Sequence, residues 1–500
     1  MEIKFDNKNI EIFREILHQT KQVQETAESV VPDTDEDIGK MAAVQSSVLL
    51  KSKDVTARGV LITGEAMASL MYITEAQDKV SFVKLSKSFS IEYELPDMEE
   101  ELLAQIKLSV LSAEARVINP RKVSVSFEIS GELSCYVAES LSVESGFSAA
   151  SCPGLHAKYE STEVNVVSSV CEKTFSLSEQ FSFPVGKPRP SRIISGNVDF
   201  VVNDTQLIGT KAMVKGSADI SVCYISEEVN YPVRTEFSTP FSQIVDIGEE
   251  DMDSCTVLPA LTGVYFDMAD SIGGDKLLEV EMHAVLQLVS RSSRQLVYIS
   301  DAYSNLMSTS CVRENSRINV VTDMRKLKLS ADERLNIMDD CADVLSLFVS
   351  AGRIAQEQNK LKAAVNIDVV YRTNSGQLSS VRRGMEMETE WSQQSYQISG
   401  LRLTDVYLRP DGQYLDSHLS LEISCLICGN VEIDKIVSVS LHEDEPVAIE
   451  DFPAVSLVRC SGESLWELAK TYCSSVEKIK ASNNIEGDLS GRMLLVPKSI

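Results

Sequence analysis

The chain has 500 residues, enough for about three to five domains, and this length excludes a small disulfide-stapled scaffold. Hydrophobic residues make up 43% and charged residues 24%, a composition typical of folded proteins rather than of disordered, collagen-like or coiled-coil chains. Lys and Arg number 47 against 74 Asp and Glu, and the resulting net charge of −27 disfavours binding to nucleic acid or to anionic membrane surfaces.

The first residues have the pattern of an amphipathic helix. Apolar side chains recur at helical spacing at Ile10, Phe13, Ile16 and Leu17, so we predict an N-terminal helix and lead-in segment over residues 1–30. This segment lacks the apolar core of an export signal, and no run of about 18 apolar residues follows, so we expect no transmembrane segment. The eleven cysteines are odd in number and mostly isolated within apolar stretches, as in reduced proteins of the cytoplasm.

The sequence repeats itself at intervals of 152 and 147 residues. Each copy contains a strand-like segment that ends in a tyrosine, at Tyr72, Tyr224 and Tyr371. The residues two, four and six before each tyrosine are apolar, which indicates a strand with one buried face. A second alternating segment begins 51, 54 and 48 residues later, after turn-forming residues such as Gly273–Gly274 and Pro410–Gly412.

These repeats predict a mainly β protein with three tandem, sandwich-like β modules and a small C-terminal α+β domain. We place the modules at residues 31–138, 139–305 and 306–450. The second opens with a Ser-rich stretch, Glu139–Cys152, that is typical of a linker. The third departs most, because it lacks the glycine found at Gly64 and Gly216.

Residues 455–500 change in character and predict the order strand, helix, helix, strand. Ser464 and Glu467 have the spacing of a capping box at the start of the first helix. Six basic residues face five acidic ones here, so the other 454 residues carry a charge of −28. The segment resembles the LysM domain in Gly462–Tyr472, Asn483–Asn484 and Leu494–Pro497.

The LysM resemblance implies a βααβ fold with a shallow groove for glycans that contain N-acetylglucosamine. The groove lies between the loop after the first strand and the loop after the second helix, where backbone amides and small polar groups suit an acetamido group. The alternative is structural, with Gly462 and Ser464 forming a turn and a cap and Asn483 or Asn484 ending a helix. The implied groove residues are Gly462, Glu463, Ser464, Leu465, Asn484, Ile485 and Glu486.

Repeated β modules followed by one LysM domain resemble the SPOCS-domain family of spore-forming Firmicutes, with its SipL-like and SpoVID-like coat morphogenetic proteins. The resemblance rests on Gly59–Tyr72, Gly209–Tyr224 and Leu361–Tyr371. It implies a non-catalytic scaffold in the mother-cell cytoplasm at the forespore surface. Its β modules would bind other coat proteins or form a homo-oligomer, and its LysM domain would bind a SpoIVA-like coat protein or peptidoglycan glycan.

Two alternatives remain open: a peptidoglycan-binding protein of the cell envelope, and an enzyme of unrecognised type. The zincin-like His442–Glu443 has Pro446 where the second histidine is required. The pair Cys425 and Cys428 lies on an alternating strand, where an odd separation places the thiols on opposite faces. We therefore expect no catalytic residues, no metal site and no cofactor.

Overall fold

The structure is a computed structural model that describes residues 3, 5–95, 101–147, 154–229, 231–271, 273–337, 340–485 and 489–499. Within these ranges strands dominate, and the two α-helices lie near the carboxyl terminus, which confirms the predicted mainly β fold. Eighteen strands form three units of six, and each unit contains two three-stranded antiparallel sheets.

The three units follow one plan. The first contains β1 (Phe5–Val30), β2 (Ile38–Thr56), β3 (Gly59–Thr74), β4 (Val80–Glu94), β5 (Leu102–Asn119) and β6 (Lys122–Phe147). The second contains β7 (Leu155–Ser182), β8 (Pro190–Ile208), β9 (Lys211–Ser226), β10 (Val233–Asp246), β11 (Ser254–Asp270) and β12 (Lys276–Ser304). The third contains β13 (Met307–Asn336), β14 (Cys341–Glu357), β15 (Lys360–Thr373), β16 (Leu378–Glu390), β17 (Tyr396–Asp411) and β18 (Tyr414–Pro446).

Within each unit the second, third and fourth strands form one sheet, with the third in the centre. The first, sixth and fifth strands form the other sheet, with the sixth in the centre. The fifth strand covers only part of the sixth, whose last residues pair with the first strand alone: residues 138–147, 292–304 and 428–446. These two-stranded extensions pack together in an apolar cluster that draws on all three units: Ile12, Val164, Val166, Leu296, Tyr298, Ile318, Val320 and Ile433.

Each unit contacts both of the others around a shared centre. A second apolar cluster, which includes Ala42, Ile194 and Val370, also combines residues of all three units. An open cavity of about 1350 Å³ lies between the units and is lined mainly by the second and fifth strands of each, together with residues of β9 and β10. Direct contacts join Val44 N–H to Asp368 Oδ2 (3.1 Å), Arg234 to the Leu347 carbonyl, and the Arg192 guanidinium to the Phe82 ring (4.5 Å to its centre).

The repeated tyrosines occupy the same buried position in the three units. Tyr72 and Tyr224 are 0% exposed and Tyr371 is 1% exposed. The Tyr72 hydroxyl donates to the Glu36 carbonyl at 3.0 Å, and the Tyr224 hydroxyl donates to the Pro188 carbonyl at 2.9 Å. In both cases the acceptor lies 36 residues earlier, in the loop that leads into the unit's second strand. The tyrosine therefore closes that loop onto the sheet.

The third unit compensates for the glycine that its sequence lacks. Gly64 lies opposite Phe89, and a Cβ atom at Gly64 would come within 2.4 Å of the ring. The small residue leaves room for the ring to cover the sheet. The corresponding pairs are Gly216 with Phe241 in the second unit and Ala363 with Met387 in the third.

The prediction of an N-terminal helix at residues 1–30 is wrong, because β1 occupies Phe5–Val30 and pairs with β6. A register shift between Glu15 and Leu17 explains the misleading pattern. A bulge adds one residue to a strand, so apolar residues on both sides of it lose strict alternation and imitate helical spacing. From Lys21 to Ser29 the burial alternates with the period of two expected for a strand.

The Ser-rich stretch predicted as a linker is also strand in its described part. Residues 139–147 continue β6 and pair with β1, for example Leu141 with Ile10. Both of these side chains pack against the cluster that joins the three extensions, and this contact outweighs the low apolar content of the stretch. Residues 148–152 of the predicted linker lie outside the described residues.

The last elements are β19 (Val455–Arg459), α1 (Leu465–Thr471), α2 (Val476–Ser482) and β20 (Met493–Pro497). Their order is the one predicted from the sequence, and β19 pairs antiparallel with β20. We call residues 455–499 the C-terminal module. Its core contains Leu468, Ala469, Ile479, Leu494 and Val496, together with Tyr303 from the end of β12.

Candidate functional site: the C-terminal module and its contact with the second unit

Side-chain caps fix both helices of the C-terminal module. Ser464 Oγ accepts from Glu467 N–H at 3.2 Å, and Glu467 Oε2 accepts from Ser464 N–H at 2.7 Å, which completes the predicted capping box. Ser475 Oγ accepts from Lys478 N–H at 3.2 Å at the start of α2. These bonds satisfy backbone donors that have no partner inside a short helix. Ser464 thus has a structural role, whatever else it contacts.

The loop before α1 is exposed to solvent. Gly462 has a φ of +121°, a conformation that side chains rarely adopt, and Glu463 Oε2 accepts from Ser461 N–H at 2.7 Å. This backbone hydrogen bond lowers the pKa of Glu463. Leu465, the last residue of the predicted groove on this side, is partly buried against the module core.

The loop after α2 supplies the other predicted groove residues. Asn484 is exposed, and Ile485 packs against the same core as Leu465, so the structure brings the two predicted sides into one cluster. Asn483 is structural, because its amide bonds to both the N–H and the carbonyl of Leu495 (2.8 and 2.6 Å). Glu486, which completes the predicted set, lies outside the described residues.

The helical face of the C-terminal module contacts the end of β12. Asp301 Oδ2 accepts from Trp466 Nε1 at 2.7 Å and from Lys470 Nζ at 2.9 Å. Arg313 lies 3.4 Å from the other oxygen of this carboxylate. One partly buried carboxylate therefore holds two side chains of α1 and orients the module on the second unit.

Aromatic rings and an amide extend this contact. The Tyr303 ring packs edge-on against Trp466, with 4.8 Å between ring centres, and stacks on His156 at 5.0 Å. The Tyr303 hydroxyl donates to the Ser474 carbonyl at 2.9 Å. Asn305 Nδ2 lies 3.2 Å from the same carbonyl and 3.0 Å from His156 Nε2.

The hydrogen-bond directions define the protonation state of His156. The Ser474 carbonyl is only an acceptor, so the nitrogen of the Asn305 amide must face it, and the second hydrogen of that nitrogen points to His156 Nε2. Nε2 then accepts, which requires a neutral ring. Burial lowers the pKa of His156 and favours this state. Burial alone raises the pKa of Asp301, but hydrogen bonds from Trp466 and Lys470 outweigh it and hold that pKa below its usual value.

Sequence reasoning missed Asp301, Tyr303, Asn305 and His156. Their partners in the module lie between 165 and 171 residues away along the chain for Asp301 and Tyr303, and no local pattern signals such a contact. The polar, aromatic run at the end of β12 is a trace of this surface in the sequence.

The cysteine pair of β18 does not have the properties of a redox or nucleophilic site. Cys425 is 1% exposed in the core of the third unit, and Cys428 is partly buried. Burial raises the pKa of both thiols, whereas a reactive cysteine requires a lowered one. Among the described residues, no three His, Cys, Asp or Glu side chains are grouped to hold a metal ion.

Comparison with protein families identifies one segment. Residues 190–269 match the family model described as SipL, SPOCS domain. The chain contains a SPOCS domain. The matched range begins at the first residue of β8 and ends one residue before the end of β11. The SPOCS domain thus comprises the β8-β9-β10 sheet and the adjoining edge strand, and it includes the predicted segment Gly209–Tyr224.

The match at residues 190–269 associates this chain with the spore coat. No curated protein and no solved structure is significantly similar to the chain. In the part of the chain that the structure describes, no helix has the length and apolar character needed to cross a membrane.

Proposed function

We propose that the chain is a non-catalytic scaffold of spore coat assembly. This proposal rests on the SPOCS match at residues 190–269. The matched segment lies in the second of three units that share one arrangement of strands. Because the first and third units share this arrangement of strands, they are SPOCS copies too. Each unit presents edge strands and sheet faces for coat proteins or for further copies of the chain, in the mother cell at the forespore surface.

The C-terminal module acts in this proposal as a LysM domain that tethers the scaffold. Its helical face is occupied by Asp301 and Tyr303, whereas the loops around Gly462 and Asn484 are exposed. A module held in this way presents its groove outward in a defined orientation. The proposed ligand is a SpoIVA-like coat protein, and the glycan of peptidoglycan is the alternative that the same groove could bind.

The test uses the full chain with a fluorescent fusion in sporulating cells. The variant Glu463→Lys/Asn484→Lys alters both loops without touching the core or the Asp301 contact. Asp451→Lys/Thr471→Lys is the matched control, because it changes the charge by the same +3 at exposed positions outside the two loops. We expect the loop variant to lose its forespore localisation and the control to keep it.

Two binding measurements separate the ligands. Purified full chain is mixed with a SpoIVA-like protein in one assay and with peptidoglycan sacculi in the other. Retention by the protein alone supports the scaffold, and retention by sacculi alone supports the cell-envelope alternative. Unchanged localisation of the loop variant would refute tethering by the groove.

A further inference from the structure

One edge of the strand β19 has no partner in the described part of the chain. The other edge pairs with β20, and Lys498 N–H donates to the Ala454 carbonyl at 3.0 Å where this pairing begins. Bonded residues alternate along an antiparallel pair, so Val455, Leu457 and Arg459 direct their N–H and carbonyl groups to the free edge. None of these groups has a hydrogen-bond partner among the described residues. Such an edge is a template for the addition of a strand.

Local chemistry limits the free edge to these three bonding positions. Before the strand, Pro453 has no N–H to donate. After the strand, Ser461 N–H is already engaged, because it donates to Glu463 Oε2 at 2.7 Å. The free edge therefore has an odd number of bonding positions, and Leu457 lies at its centre.

The sheet face beside this edge is apolar and exposed. Leu457 is 62% exposed, and Leu495, its partner on β20, is 43% exposed. Val455 and Met493 lie on the same face and are 50% and 53% exposed. The edge of β20 is closed, because the Asn483 amide bonds to both backbone groups of Leu495 (2.8 and 2.6 Å). A partner that extends this sheet must therefore add to β19.

Charge is distributed unevenly along β19. The strand ends in Arg459, which is exposed, and no carboxylate oxygen of the described residues lies within 4.0 Å of its guanidinium. Four exposed acidic residues precede the start of the strand: Asp444, Glu445, Glu450 and Asp451. Two such strands in antiparallel orientation bring the acidic start of each towards the basic end of the other. A parallel arrangement would bring like charges together.

We infer that β19 pairs with β19 of a second copy of this chain, antiparallel and about a two-fold axis at Leu457. In this register Leu457 lies opposite its counterpart, and Val455 of each copy lies opposite Arg459 of the other. All three free N–H groups and all three free carbonyl groups of each strand then form hydrogen bonds, which no other antiparallel register achieves. The product is a four-stranded sheet with β19 of both copies at its centre.

The contact is small, so the association is weak. A pair of five-residue strands buries less than the roughly 1,600 Å² of a standard stable interface, which places this dimer among transient complexes. The inference rests on the proposed function in one respect, because it specifies the edge at which a further copy of the scaffold binds. Its test uses the purified chain without a coat partner, so its failure would leave the localisation experiment on the groove unaffected.

Sedimentation equilibrium of the purified full chain tests the contact. Physiological ionic strength is required, since the net charge of −27 opposes self-association. We expect the mean mass to rise from that of one chain towards that of two between about 1 and 200 μM, the range of weak complexes. Leu457→Lys should weaken the association about tenfold or more, because it places like charges opposite each other at the axis. Leu495→Lys is the matched control, because it adds the same charge to the same face on β20, and it should keep the association.

A mixture of Leu457→Lys with Leu457→Glu tests the two-fold register. Each variant alone should stay monomeric, and the mixture should associate, because opposite charges then face each other at the axis. Recovery in the mixture excludes misfolding as the cause of the loss. A monomer at every concentration of the unsubstituted chain, an equal loss in Leu495→Lys, or no recovery in the mixture overturns the inference.

Discussion

Gln287 of the second unit forms two hydrogen bonds with the backbone of Ile106 in the first. Its Oε1 accepts from Ile106 N–H at 2.8 Å, and its Nε2 donates to the Ile106 carbonyl at 2.8 Å. Ile106 lies on β5, an edge strand, so these backbone groups face away from the sheet. The side-chain amide pairs with them as a neighbouring strand would, and it joins two units at a buried position.

Gln287→Ala leaves both backbone groups of Ile106 buried without a partner. We expect a loss of about 1–3 kcal/mol in the free energy of unfolding, from the cost of unsatisfied buried polar groups. The midpoint of urea denaturation measures it. Gln180→Ala serves as the control, because Gln180 pairs with Glu279 at an exposed position. Equal midpoints for the two variants would contradict the role of Gln287.

Asp301→Ala should loosen the C-terminal module. It removes the acceptor of Trp466 and the counter-charge of Lys470, and the first loss matters more because Lys470 is half exposed and its ion pair is weakened by solvent. Hydrogen exchange of residues 465–482 should accelerate, less so in Asp301→Asn, which keeps an acceptor. Asp434→Ala removes an exposed partner of Arg313 and should leave the exchange unchanged. Unaltered exchange in Asp301→Ala would disprove the contact.

The contact of the C-terminal module should weaken in mild acid. The pKa of His156 is lower in the folded protein than its ordinary value of 6.5, so the neutral ring stabilises the contact above pH 6.5. This contribution falls as the pH decreases through 6.5 towards the lowered pKa, because the charged ring opposes the N–H of Asn305. Fluorescence of Trp466, in a background with Trp391→Phe, reports the change. A transition that persists in His156→Gln would assign the effect elsewhere.

Gly64→Ala should destabilise the first unit by about 1–3 kcal/mol, because the added methyl group clashes with the Phe89 ring. Gly64→Ala/Phe89→Met imitates the pair Ala363 and Met387 of the third unit. It should recover part of the loss, since the ring clash is relieved while the contact with the backbone oxygen of Leu49 remains at 2.8 Å. Thermal unfolding of the single and double variants measures this coupling. Additive losses would show that the two positions are independent.

Local sequence patterns predicted the strands and helices that are determined by residues close together in the chain. The apolar alternation before Tyr72, Tyr224 and Tyr371 located the central strand of one sheet in each unit, and the matched SPOCS segment contains the second of them. The capping box of Ser464 and Glu467 predicted the first helix, because a cap and its helix lie within one turn of each other.

The features that the sequence could not predict depend on contacts between residues far apart in the chain. The strand β1 was mistaken for a helix because its partners on β6 lie 92 to 142 residues away and a bulge after Glu15 disturbs its period. The contact of Asp301 with Trp466 spans 165 residues and leaves no periodic trace. The groove assignment for Gly462 and Asn484 stays a prediction, because loop exposure alone does not identify a ligand.

The location of Asp301 also determines the ratio of C-terminal modules to β units. An assembly of three identical chains would repeat every surface three times, whereas here the three units belong to one chain and differ in sequence at their ends. The strand β12 ends in Asp301–Ser304, while β6 and β18 end in other residues. The C-terminal module therefore occupies one of three related positions, so a scaffold of this kind would space its tethers one to every three β units.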